Sequence, residues 1–101
     1  MSMMTRTPSL PVPSDVLALE EFVEITGVSP ERLAELLALG WIETSTSAAR
    51  ALLFSNRDVY RVRKLERICY DFEIPAVGGT IIVDLLERID SLERAMRGMH
   101  D

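Results

Sequence analysis

The spacing of apolar positions changes repeatedly along the chain, and each change marks a new element. Residues 1–14 show no periodicity and hold Pro8, Pro11 and Pro13. Proline lacks a backbone donor and resists helix, so this stretch reads as a flexible tail. The apolar run of residues 16–19 predicts a brief strand leading into a first helix over about residues 20 to 26. In that helix Phe22, Val23 and Ile25 are expected to face inward, with acidic residues near the positive helix start. Gly27 is free to take positive φ and stop the helix. Ser29 suits an N-cap and Pro30 a first helical position. A second helix then runs to about Leu39, with Leu33, Leu36 and Leu37 on one face, until Gly40 ends it.

The pattern then turns extended. Trp41 and Ile42 are an apolar pair, "TSTSAA" is small and polar, and "ALLF" is apolar again. Two short extended segments around a Ser/Thr-rich loop predict a hairpin, or wing. Ser55 or Asn56 caps a third helix that runs to about Phe72. Val59, Val62, Leu65, Ile68, Cys69 and Phe72 recur at helical steps and form one stripe. Ile74 and Pro75 break it, because the residue before a proline avoids helix. A fourth helix starts between Pro75 and Thr80 and ends near Arg97. Its Ile82, Leu85, Ile89, Leu92, Met96 and Met99 alternate steps of three and four, a heptad seam with both core positions filled. That seam is too short to stand alone in water, so it packs within the domain or across a dimer axis. The organisation expected is a tail over 1–14, a winged helix-turn-helix-like domain over 15–74 and a C-terminal dimerisation helix over 75–101.

Composition narrows the function. The chain has 101 residues, 16 acids against 11 bases and a net charge of −5. A small duplex-binding domain ordinarily carries a basic excess that releases counterions. Cys69 is the lone cysteine and lies in an apolar helical pattern, which predicts a buried core thiol. No apolar run approaches the roughly 18 residues of a membrane span, and the N-terminal stretch lacks the apolar run of a signal peptide. A soluble cytoplasmic protein is expected. His100 is the only histidine, and no Cys/His cluster suits a metal. Glu20, Glu21 and Glu24 read as a solvated face rather than an acid/base pair. Gly78 and Gly79 lack the lysine of a phosphate loop and read as close packing of a helix start. No enzyme, cofactor, metal or small-molecule substrate is expected.

Helix, glycine turn, helix, hairpin, helix is the order of a winged helix-turn-helix. Through "EITGVSPERL", "LGWIE" and "LFSNRDVYRVRKLERI" the chain resembles the MerR-type winged-helix domain. It departs where that family touches DNA. Ala34, Glu35 and Leu36 stand where MerR regulators have Arg-Tyr-Tyr, and Leu52 precedes Phe54 where an arginine is usual; Arg50 is out of register. Those departures, with the C-terminal "YDFEIPAVGGTIIVDLLERIDSLERAM", resemble the CbpM-type chaperone modulators from about Val16 to Met96, although Gly78-Gly79 is smaller than the pair expected there.

That resemblance implies a mainly α protein with a small β-hairpin wing. It also implies a non-enzymatic homodimer that binds the J-domain of a CbpA-like co-chaperone and blocks its stimulation of DnaK. On the second helix Glu31, Glu35 and Ala38 share an outward stripe flanked by Arg32. They are the expected contacts to a basic J-domain helix. Ile82, Leu85, Ile89, Leu92 and Met96 are the expected dimer contacts. The alternative is a MerR-like DNA-binding regulator. It draws on the basic run Arg61, Arg63, Lys64 and Arg67, of which Arg63, Lys64 and Arg67 cluster on one side. These residues suit phosphate or acidic-partner contacts, or else a solvated face paired with Glu66 and Asp71.

Overall fold

The computed structural model describes residues 16–100; the expected tail lies outside the described residues. The elements are β1 (Val16–Ala18), α1 (Leu19–Thr26), α2 (Pro30–Ala38), β2 (Ser45–Thr46), β3 (Leu52–Ser55), α3 (Asn56–Phe72) and α4 (Ala76–His100). The chain is mainly helical with one small antiparallel sheet, the winged-helix arrangement that the pattern predicts.

Local chemistry sets each boundary. At the start of α1 the Ala18 N–H donates to the Glu21 carboxylate at 3.3 Å. Gly27 stops the helix at φ 69° and its N–H reaches the Val23 carbonyl at 2.8 Å. Ser29 caps α2 by accepting the Arg32 N–H at 3.0 Å, with Pro30 in the first position. At the other end the Trp41 N–H bonds to the Leu36 carbonyl and the Gly40 N–H to the Leu37 carbonyl, both at 3.0 Å. With Gly40 at φ 71° this is a Schellman closure, which needs a residue at ease in the left-handed region. It also turns Trp41 back onto the core.

The wing differs from the expected hairpin. Trp41 and Ile42 are buried core residues (9% and 4% exposed) rather than a strand. The first wing strand is Ser45–Thr46, inside the polar run, paired with Leu52 and Leu53. Ser47 holds the tip: its hydroxyl accepts the Ala49 and Ala51 N–H groups at 3.2 and 3.1 Å. These bonds are local, so an exposed Ser/Thr segment forms strand without any apolar alternation. β1 adds to the other side of β3, giving the order β1-β3-β2. Leu17 pairs with Phe54, so the start and middle of the chain are joined in one sheet.

The core gathers Phe22, Leu33, Leu36, Phe54, Val62, Leu65 and Val83. Phe22 stacks on Phe54 with ring centroids 4.4 Å apart. Two residues expected inside are outside. Ile25 is 47% exposed, because the inward arc of α1 centres on Phe22, Val23 and Thr26 and Ile25 lies about 100° from its middle. Phe72 is 70% exposed. The chain turns at Glu73, whose φ is 53°, and half-buried Ile74 takes the inward place.

α4 lies against α3 through Ala76, Gly79, Thr80 and Val83, all buried. A Cβ on Gly79 would sit 2.5 Å from Leu65 Cδ1 and 2.6 Å from Cys69 Sγ, so only glycine lets the helices approach this closely. Gly78 meets nothing within 4 Å, so the close-packing reading holds for the second glycine of the pair and not the first. α4 continues to His100, beyond the expected end at Arg97.

Candidate partner-binding site

Burying Leu33 and Leu36 in α2 turns Glu31, Ala34, Glu35 and Ala38 outward, and all of them are exposed. Arg32 does not stand free beside them. Its Nε donates to Glu66 on α3 at 2.8 Å, and its Nη1 lies 3.5 Å from Glu35. The Arg32 side chain is 24% exposed, so it acts as a strut between α2 and α3. The helix that would enter a DNA groove thus presents carboxylates on a small alanine surface, with its arginine drawn inward. Such a face repels phosphate and attracts cationic side chains.

The basic run on α3 separates into one buried residue and an exposed set. Arg61 is 9% exposed. Its guanidinium stacks on Trp41, 4.0 Å from the ring centroid, and donates to the Trp41 carbonyl at 3.0 Å. It lies 2.6 Å from Asp84, 3.3 Å from Glu87 and 3.5 Å from Asp58. Its Nε, though near Glu87, is not aligned for a hydrogen bond. The Trp41 indole N–H also donates to Asp84, at 3.0 Å. Arg61 therefore offers nothing to a phosphate and lends no support to DNA binding, contrary to expectation. Its spacing carries the signal: Arg61 lies four residues before Leu65, on the buried stripe.

Arg63, Lys64 and Arg67 are exposed, and none forms an ion pair with another described residue. Glu66, their expected partner, is held by Arg32 instead. Apolar periodicity does not single out Tyr60 and Tyr70, yet they are 79% and 85% exposed. They share the outer face of α3 with the cations, at i, i+3, i+7 and i+10 for Tyr60, Arg63, Arg67 and Tyr70.

The seam residues lie elsewhere. Ile82, Leu85, Ile89, Leu92 and Met96 are between 37% and 59% exposed. At 3.6 residues per turn they point on average about 150° away from the Ala76–Val83 face that meets α3. No described residue therefore covers them fully. Cys69 is buried as expected, its thiol donating to the Pro75 carbonyl at 3.8 Å. Burial pushes its pKa up, against the smaller lowering effect of Arg32, so it stays a protonated packing group. Among the described residues no carboxylate, histidine or cysteine cluster has the arrangement of a metal site. No helix among them is long and apolar enough to cross a membrane.

The family model described as MerR HTH family regulatory protein matches residues 17–101. No curated protein matches the chain significantly. The match spans β1 through α4, so the wing, the α2 face and the seam all fall inside it. The chain belongs to the MerR helix-turn-helix regulatory family.

Proposed function

We propose that this protein is a non-enzymatic, cytoplasmic chaperone modulator that binds the J-domain of a CbpA-like co-chaperone and restrains its stimulation of DnaK, acting as a homodimer through α4. One observation carries the reading: the recognition-helix face is acidic, Glu31 forms no ion pair among the described residues, and Arg32 is withdrawn to Glu66. A J-domain engages DnaK through a basic helix, and Glu31 and Glu35 are its complement. The resemblance of the C-terminal half to CbpM-type modulators supports the same conclusion. The test is binding to a J-domain protein from the same organism, with DnaK ATPase stimulation as the functional readout. Glu31→Lys with Glu35→Lys should slow association and flatten its salt dependence. Unchanged affinity and salt slope would reject this face.

The second reading, a DNA-binding MerR regulator, draws on exposed Arg63, Lys64 and Arg67. It requires sequence-dependent duplex binding that survives near-physiological salt in a mobility-shift assay. Net charge −5 and the acidic α2 face weigh against it.

A further inference from the structure

A groove of about 740 Å³ runs between α3 and α4. Ile68 and Leu86 line its apolar side towards α4, Val59 lies on the other flank of α3, and Arg63, Lys64, Arg67 and Tyr60 stand between them. We infer that this groove and the outer face of α3 dock an acidic amphipathic segment of a partner protein. The site is separate from the acidic α2 face and opposite in charge, and it does not depend on the J-domain reading.

The rim is cationic because of a contact made elsewhere. Glu66 lies within one turn of Arg63 and would neutralise it, but Arg32 holds its carboxylate at 2.8 Å. Asp71, one turn beyond Arg67, forms no ion pair with a described residue. A chain of net charge −5 thus concentrates unpaired positive charge on one helix face. Charge alone would suit phosphate as well as carboxylate. The apolar side chains beside the cations decide for a protein segment, because a phosphate backbone has nothing to bury against Ile68 and Leu86. A leucine or phenylalanine of an amphipathic helix does.

The groove also sets where the occupant stops. Past Lys64 and Leu86 it continues along α4 between Glu87, Asp90 and Glu93. Arg57 and Arg94 line it as well and pair with Glu87 at 3.7 Å and Asp90 at 2.8 Å, so the charge there is balanced and an acidic segment is held along α3 rather than along α4. A second copy's α4 is a poor occupant, because over residues 88–97 Arg88, Arg94 and Arg97 outnumber Asp90 and Glu93 and leave no acidic stripe.

The experiment uses the full chain and labelled probes in fluorescence anisotropy. The probes are a helical peptide with leucine and glutamate on adjoining faces, its lysine-for-glutamate counterpart, and single-stranded and duplex oligonucleotides. Backbone amide shifts map any site. The acidic peptide should bind and shift Tyr60, Arg63, Lys64 and Arg67, and the lysine peptide should not. Arg63→Glu with Arg67→Glu should weaken it about tenfold or more. Arg63→Lys with Arg67→Lys should retain most of the binding. Both pairs are exposed, and circular dichroism verifies that the fold persists. Glu31→Lys with Glu35→Lys should bind the acidic peptide like wild type, so failure of the J-domain reading leaves this result untouched. Three outcomes overturn the inference: no binding of the acidic peptide, tighter binding of either oligonucleotide, or α3 outer-face signals that shift on dilution because a second copy fills the groove.

Discussion

The two halves of α4 share one helix and have opposite surroundings. Over residues 76–87 the helix buries Ala76, Gly79, Thr80 and Val83 against α3, and Glu87 is half-buried beside Arg61. Over residues 88–99 every position is exposed. The apolar seam runs through both halves without a break, on the side away from α3. A helix of 25 residues spans about 37 Å, longer than the domain can cover. The first half is fixed by the core; the second is covered by nothing among the described residues.

The seam, which crosses from one half to the other at Leu85 and Ile89, carries the greatest effect. The wild-type protein is expected to be dimeric at micromolar concentration by light scattering. Leu85→Lys with Ile89→Lys should give folded monomers, because each apolar side chain is worth roughly 1.5–3 kcal/mol when fully buried and neither belongs to the domain core. Monomeric wild-type protein would leave the seam without a cover and overturn its role as an interface.

Next comes the attachment of the first half. Arg61→Ala would leave Asp58, at 5% side-chain exposure, without its cation and Asp84 without the one that ties it to α3, while Glu87 keeps only the exposed Arg57 at 3.7 Å. Breaking a buried ion pair costs about 3–5 kcal/mol; Asp84 at 53% exposure is screened by water, which places the loss near the lower bound. Urea unfolding should report it with the dimer interface intact. A change no larger than that of an exposed substitution would mean that the network does not hold α4.

Gly79→Ala tests the same half by shape. The added methyl must displace Leu65 or Cys69, and overpacking of this kind costs about 1–3 kcal/mol. Gly78→Ala, with nothing within 4 Å, should instead stabilise slightly, because alanine is the better helix former by about 1 kcal/mol. A thermal melt of each variant gives the signs, and equal signs would overturn the packing argument.

Much of this fold is legible in residue type and spacing. Ser29, Pro30, Gly40 and Ser55 sit where caps are expected, since capping is local and needs no knowledge of the rest of the fold. The stripes of α2 and α3 are legible for the same reason. What spacing misses depends on distant partners. Trp41 looks like a strand residue until the Schellman turn at Gly40 aims it at Arg61. Arg61 looks like a phosphate contact until Asp84, 23 residues away, comes beside it. Arg32 looks like a surface flank until Glu66, 34 residues away, takes its charge. The exposure of the acidic stripe follows from helical phase, whereas the cationic rim of α3 depends on a long-range ion pair that spacing does not show.

At one sulfur atom the effect is smaller still. Cys69 lies under the packed half of α4, beside Gly79, and burial raises its pKa above the ordinary thiol value. Folding therefore favours the protonated thiol. The resulting stability is fully present below the unfolded pKa, about 8.5, and is lost as pH rises through the folded value. A single thiol of this kind tilts stability only modestly across that window. Tyrosines and lysines titrate in the same alkaline range, and Cys69→Ala serves as the reference that removes them. The stability difference between wild type and Cys69→Ala, measured by urea unfolding under reducing conditions, should be flat through neutral pH. It should then move against the wild type above about pH 8.5. A difference independent of pH would mean that the thiol is as well solvated folded as unfolded, and that α4 opens from α3 often enough to wet the contact under Gly79.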